Sequence, residues 1–256
     1  ATIADVLTFI VTADGKLAVA GNITAGSSKT VVVNLAAAGE FIADGDVSAG
    51  AQTFANTILS DNGKAGVLST SGQETKTFAG AIGATLELGS IAVAGTGKVE
   101  FNAAVDSVLA TVAVGSEMQL DAATDITTIT NSGTLNLNSS LDAISGIATI
   151  SMATADSVLN FNSTGNMDQD LRVTVAVDGH GTINIFDGTD DNAAGTTTLS
   201  GGDIGVTASR VGTLNVGKSD STKGGVLTSI DGDEIFADNI NIFGGNHSNE
   251  DSRINL

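Results

Sequence analysis

The chain has 256 residues, 29 of them acidic and 10 basic, for a formal charge of −19; it contains 32 Gly and no Pro, Cys, Trp or Tyr. A phosphate-binding face needs clustered Lys and Arg, so this balance argues against nucleic acid as a partner and against anionic membranes. Disulfides, thiolate metal sites and cysteine nucleophiles are excluded, and no run of about 18 apolar residues reads as a transmembrane helix.

In chain order, the first 70 residues read as short strands punctuated by glycine: Val6–Val11, Leu17–Val19, Val31–Leu35, Phe41–Ala43, Phe54–Leu59 and Val67–Ser69. Val, Ile and Thr suit a pleated strand, whereas Gly, Asn, Asp and Ser suit tight turns. The best helical candidate is a short alanine-rich piece, Leu35–Phe41.

A triplet then recurs. Val33-Asn34-Leu35 is followed by Leu86-Glu87-Leu88, Val99-Glu100-Phe101, Met118-Gln119-Leu120, Leu135-Asn136-Leu137, Leu159-Asn160-Phe161, Ile183-Asn184-Ile185, Leu214-Asn215-Val216, Ile240-Asn241-Ile242 and Ile254-Asn255-Leu256. Residues i and i+2 of a strand share a face, so the apolar pair points inward and the central polar residue outward. Upstream of several triplets stands Thr before Val or Ile, as in Thr111-Val112, Thr128-Ile129, Thr149-Ile150 and Thr174-Val175. The middle of the chain therefore reads as successive coils of two short strands each.

From Glu87 onward the triplet centres are spaced 13, 19, 17, 24, 24, 31, 26 and 14 residues apart. Strict-period solenoids do not vary in this way. The expected fold is all-β: a right-handed parallel β-helix, or β-solenoid, with irregular coil lengths. A β-sandwich is the alternative, disfavoured because stacking explains a returning triplet and a Greek key does not. One solenoid over 1–256 is expected, with a soft boundary near 70 between a less regular part (1–70) and regular coils (71–256).

Several side chains invite chemistry. The oxygen-rich loops around Asp187, Asp190 and Asp191, and around Asp231, Asp233 and Glu234, could hold Ca²⁺; they lack EF-hand spacing, and solvated turns on an acidic protein are the favoured explanation. Asn246, Asn249, Glu250 and Asp251 form a third such loop. His180, near Asp178, invites a Ser/His/Asp reading, but it lies between two glycines and no GxSxG elbow is present. His247 reads as a second turn histidine. Stacked Asn side chains can bond along the coil axis for purely structural reasons.

The segments TFAGAIGATLELGS (Thr77–Ser90), SGTLNLNSS and GTLNVG resemble passenger regions of autotransporters, especially the rickettsial surface-antigen group, and the Ala/Thr/Gly/Asn-rich bodies of proteobacterial S-layer proteins. The resemblance implies export, display on a bacterial cell surface and a structural or adhesive role. It supplies no catalytic residue. The implied partners are further copies of the chain, other surface components, or a glycan or host receptor. A polysaccharide-binding or polysaccharide-degrading β-helix is the competing expectation, weakened by the absence of Trp and Tyr platforms. The start at Ala1 reads as a processed or excised piece. The final triplet reads as an open coil needing cover, from further chain or from another copy.

Overall fold

The computed structural model describes residues 6–20, 30–36, 38–43, 52–54, 57–60, 64–139, 144, 146–162, 165–167, 171–185, 196–200, 202–218, 226–230, 234–244 and 252–255. Among them there is no helix, and every ladder between named strands is parallel. The fold is a parallel β-helix built from short strands that alternate buried and half-buried residues. That alternation follows from the two-residue period of the strand. The chain divides into two compact units, Ala1–Ile126 and Thr127–Leu256.

In the first unit each coil has three faces. One carries β1 (Val6–Val11), β3 (Thr30–Leu35) and β6 (Thr57–Ser60), and continues as single bridges from Ile58 to Ile82 and from Ile82 to Val105. The second carries β2 (Lys16–Val19), β4 (Glu40–Ala43), β7 (Val67–Thr70), β9 (Leu88–Val93) and β11 (Val105–Val112). The third carries β5 (Gln52–Phe54), β8 (Lys76–Phe78), β10 (Lys98–Phe101) and β12 (Glu117–Leu120).

Exact register on this third face stacks like on like. Phe78 is the register partner of both Phe54 and Phe101. Their rings lie 4.9 and 5.1 Å apart, nearly parallel, and Phe41 meets Phe54 edge-on at 5.8 Å. All four are buried. Burial on this scale, with ring geometry favourable beyond area alone, lets a chain without Trp or Tyr fill its interior. Lys76 is also buried, and its Nζ donates to the Glu74 carbonyl at 3.2 Å.

In the second unit one face carries β13 (Thr124–Asn131, which begins just before the unit boundary), β15 (Thr149–Met152) and β18 (Arg172–Val175), then bridges through Ile204 to Ile235. A second carries β14 (Thr134–Leu137), β16 (Val158–Phe161), β19 (His180–Ile185), β21 (Val211–Val216) and β23 (Ala237–Ile242). A third carries β17 (Gly165–Met167), β20 (Thr196–Ser200), β22 (Val226–Ile230) and β24 (Arg253–Asn255).

Four expectations change. The two-strand coil is a three-faced coil, because β17, β20, β22 and β24 add a sheet that lacks the triplet in all but its last strand. Leu35–Phe41 is not helical: β3 ends at Leu35, Gly39 N–H closes a turn onto the Ala36 carbonyl at 2.7 Å, and β4 begins at Glu40. Leu86-Glu87-Leu88 is not a strand, since Leu86 sits exposed in a bend and β9 starts only at Leu88. Phe54–Leu59 is two strands, β5 and β6, on different faces.

Corners follow equally local rules. Gly72, Gly95 and Gly115 precede β8, β10 and β12, all with positive φ. A Cβ on Gly95 would lie 1.9 Å from the Gly72 carbonyl oxygen. Only glycine turns the chain there and lets consecutive coils approach so closely.

Candidate interaction surfaces: the ladder and the open coils

The triplet's central residues become a ladder. In the second unit Asn136, Asn160, Asn184, Asn215 and Asn241 occupy one register column. Asn160 Nδ2 donates to Asn136 Oδ1 at 2.6 Å, Asn184 to Asn160 at 2.7 Å, Asn215 to Asn184 at 2.8 Å and Asn241 to Asn215 at 2.9 Å. Every rung donates toward the earlier coil. A second column begins beside it, with Asn162 Nδ2 on Asn138 Oδ1 at 2.8 Å. Carboxamides suit such stacking because each carries both donor and acceptor at the coil spacing.

The ladder leads to a coil with nothing beyond it among the described residues. Ile240 pairs with Leu214 and Ile242 with Val216, on the inward side. Leu214 and Val216 are fully buried, yet Ile240 is 48% exposed and Ile242 53%. Ile235 and Ile254, in register with buried Ile204 and Leu227, are half-buried. Side-chain type and register are conserved from one coil to the next. Among the described residues no strand pairs with β23 on its far side.

The first coil repeats the situation. Phe9 pairs with buried Val33 and Leu17 with buried Phe41, but Phe9 is 41% exposed and Leu17 half-buried. Phe9, Val11, Thr12, Gly15 and Leu17 line a shallow groove there. Ile10, on the outer side of β1, is 67% exposed.

An ionic bridge runs across three consecutive coils of the second unit. Arg210 Nε and NH2 bind the two Asp178 oxygens at 3.0 and 2.7 Å, and NH1 meets Asp238 Oδ1 at 2.8 Å. The side-chain bonds from Arg210, with its backbone N–H, hold the Asp178 carboxyl down at about 2. Asp178 is thus committed to Arg210 and does not face His180, whose Nδ1 is buried without a hydrogen-bond partner. Elsewhere Asp106 is pushed up, first by desolvation and then by Asp125 and Glu87.

Of the residues singled out for Ca²⁺, Asp187, Asp190, Asp191, Asp231 and Asp233 lie outside the described residues, as do Asn246, His247, Asn249, Glu250 and Asp251. Glu234 is exposed just before the last coil; its N–H donates to Asp203 Oδ1 at 3.1 Å and its carbonyl accepts from Ile204 N–H at 3.0 Å. Among the described residues no three His, Asp or Glu side chains gather where they could hold a metal ion, and no helix is long and apolar enough to cross a membrane.

Sequence reasoning missed the Arg210 bridge. The available signal was spacing, since Asp178 and Arg210 stand 32 residues apart, close to one long coil. The molecule is a parallel β-helix whose first and last described coils carry exposed apolar side chains. Compared with models of known families, with curated proteins and with solved structures, the chain finds no match.

Proposed function

We propose that this chain is a non-catalytic structural module of a bacterial cell surface that works by self-association through its coil stack. The exposed apolar pair of β23 carries the reading. Ile240 and Ile242 are about half exposed where the same positions one coil earlier are fully buried. Apolar surface of this kind, beside the unpaired backbone groups of a strand edge, is a template for further pairing. The resemblance to autotransporter passengers and S-layer bodies supplies the cell-surface setting. The acidic charge suits an exterior molecule kept from indiscriminate collapse by mutual repulsion.

The test is sedimentation velocity on the 256-residue chain across protein concentration and NaCl. Assemblies should grow with concentration, and salt should favour them by screening the repulsion of −19 charges over a Debye length of about 8 Å near physiological ionic strength. Ile240→Glu with Ile242→Glu should abolish them while leaving the circular-dichroism spectrum unchanged, because both positions are already open to water. A wild-type chain that stays monomeric at every concentration and salt level overturns the reading.

A further inference from the structure

We propose that Lys76 and Gln52 are a self-modifying pair: the Lys76 amine displaces ammonia from the Gln52 carboxamide and leaves an isopeptide bond between two coils of the first unit. The two residues are register partners on β8 and β5. Both lie on the inward side of their strands, and each is 1% exposed. Their column continues as Val99 and Met118, both buried and apolar. An amine and a carboxamide are therefore neighbours in an interior column that is otherwise apolar. A lysine is almost never buried to this degree, and taking an ammonium out of water is among the largest costs a fold meets. A secondary amide carries no charge, so the bonded product removes that cost.

The chemistry needs nothing from outside. Lys76 Nζ donates to the Glu74 carbonyl at 3.2 Å. Its four-carbon stem is flexible, and neighbouring strands lie only about 4.8 Å apart, so side-chain rotation alone brings the amine to the carboxamide carbon. Burial favours the uncharged, nucleophilic form of an amine. The amine adds to Gln52 Cδ, the bond from Cδ to Nε2 breaks, and the amine proton departs with Nε2 as ammonia. Holding two reactants in one geometry can reach an effective concentration of about 10⁵–10⁸ M, and escape of ammonia makes the step one-way. The chain has no cysteine, so no disulfide can staple its coils. An amide between positions 52 and 76 is a staple that reductants do not open. This goes beyond self-association and does not depend on it.

Intact-mass spectrometry of the purified 256-residue chain, kept folded in neutral buffer, tests the proposal. The wild type should converge on a mass one ammonia below that of its sequence, and a protease digest should yield one branched peptide joining positions 52 and 76. Lys76→Met and Gln52→Met keep an unbranched apolar stem in the core, and each should hold the full sequence mass while circular dichroism shows the strands intact. If either variant fails to fold, the branched peptide is still read in the unaltered protein and decides the matter. An ammonia loss that persists in Lys76→Met comes from another carboxamide and overturns the pair. A wild type that keeps its full mass after prolonged incubation in the folded state overturns it equally.

Discussion

Asn184 Nδ2 donates to Asn160 Oδ1 across 2.7 Å, from one coil of the second unit to the coil before it. Asn184 also accepts from Asn215 through its own Oδ1. Removing it therefore strands two neighbours at once. Leaving a partly buried amide unsatisfied costs about 1–3 kcal/mol. Asn184→Ala should lower stability by that order in urea unfolding. Asn241→Ala, on the exposed last rung, should cost clearly less. Equal losses at the two positions would mean that the ladder contributes little beyond strand propensity.

The phenylalanine stack makes a comparable prediction for the first unit. Phe78 lies between Phe54 and Phe101, with ring centroids 4.9 and 5.1 Å away. Phe78→Ala opens a cavity walled by two rings that strand register prevents from closing. The expected loss is about 3–5 kcal/mol, with Phe78→Leu recovering much of it. Chemical denaturation followed by tryptophan-free far-ultraviolet circular dichroism would measure both.

At Gly95 the prediction is steric. Its φ of +94° strains any L side chain, and a methyl there meets the Gly72 carbonyl. Gly95→Ala should destabilise by at least the roughly 1–3 kcal/mol typical of a strained backbone residue. Gly244, with open space around its position, is the control: Gly244→Ala should change the thermal midpoint little.

Asp178 gives a pH prediction. Arg210 lowers its carboxyl from 3.8 in the absence of partners to about 2 in the folded chain. A depressed carboxylate stabilises the fold above its unfolded pKa, and that contribution fades as pH falls from about 4 through about 2. Asp178→Asn should flatten this part of the acid limb of a stability–pH profile. Because the pair is exposed, added NaCl should shrink the difference. Asp106 has the opposite sign. Its raised pKa makes the ionised form unfavourable, so Asp106→Asn should stabilise near neutral pH and lose its advantage in acid.

Much of this architecture was legible from one pattern. Leu135-Asn136-Leu137, Leu159-Asn160-Phe161, Ile183-Asn184-Ile185 and Leu214-Asn215-Val216 each form a strand with the apolar pair buried, because a period of two needs no long-range information. The column of amides followed from the same alternation.

The misreadings share a cause: the triplet says which residues face inward and nothing about which face of the coil they occupy. Val33-Asn34-Leu35 pairs with Phe9-Ile10-Val11, in a different sheet from the later ladder. Ile254-Asn255 pairs with Leu227-Thr228 in another sheet and does not join the column of Asn241. The spacings of 13 and 14 residues were the signal, since they are too short for a full three-faced coil. Thr196–Ser200 and Val226–Ile230 went unread because their sequences, TTTLS and VLTSI, lack the central amide. Of the open surfaces, the last coil was visible as a strand near the end of the sequence. The groove at Phe9 and Leu17 was not, because a partly exposed Phe looks like any other strand Phe until its neighbours are placed.

Successive rungs of the asparagine column are separated by 24, 24, 31 and 26 residues, yet the register of the strands between them never slips. Length added between β19 and β21 is absorbed outside those strands, and no ladder changes partner. What holds the molecule together is thereby uncoupled from what it displays. A sequence can rewrite its outer contour, insertion by insertion, while the same few apolar columns keep it folded.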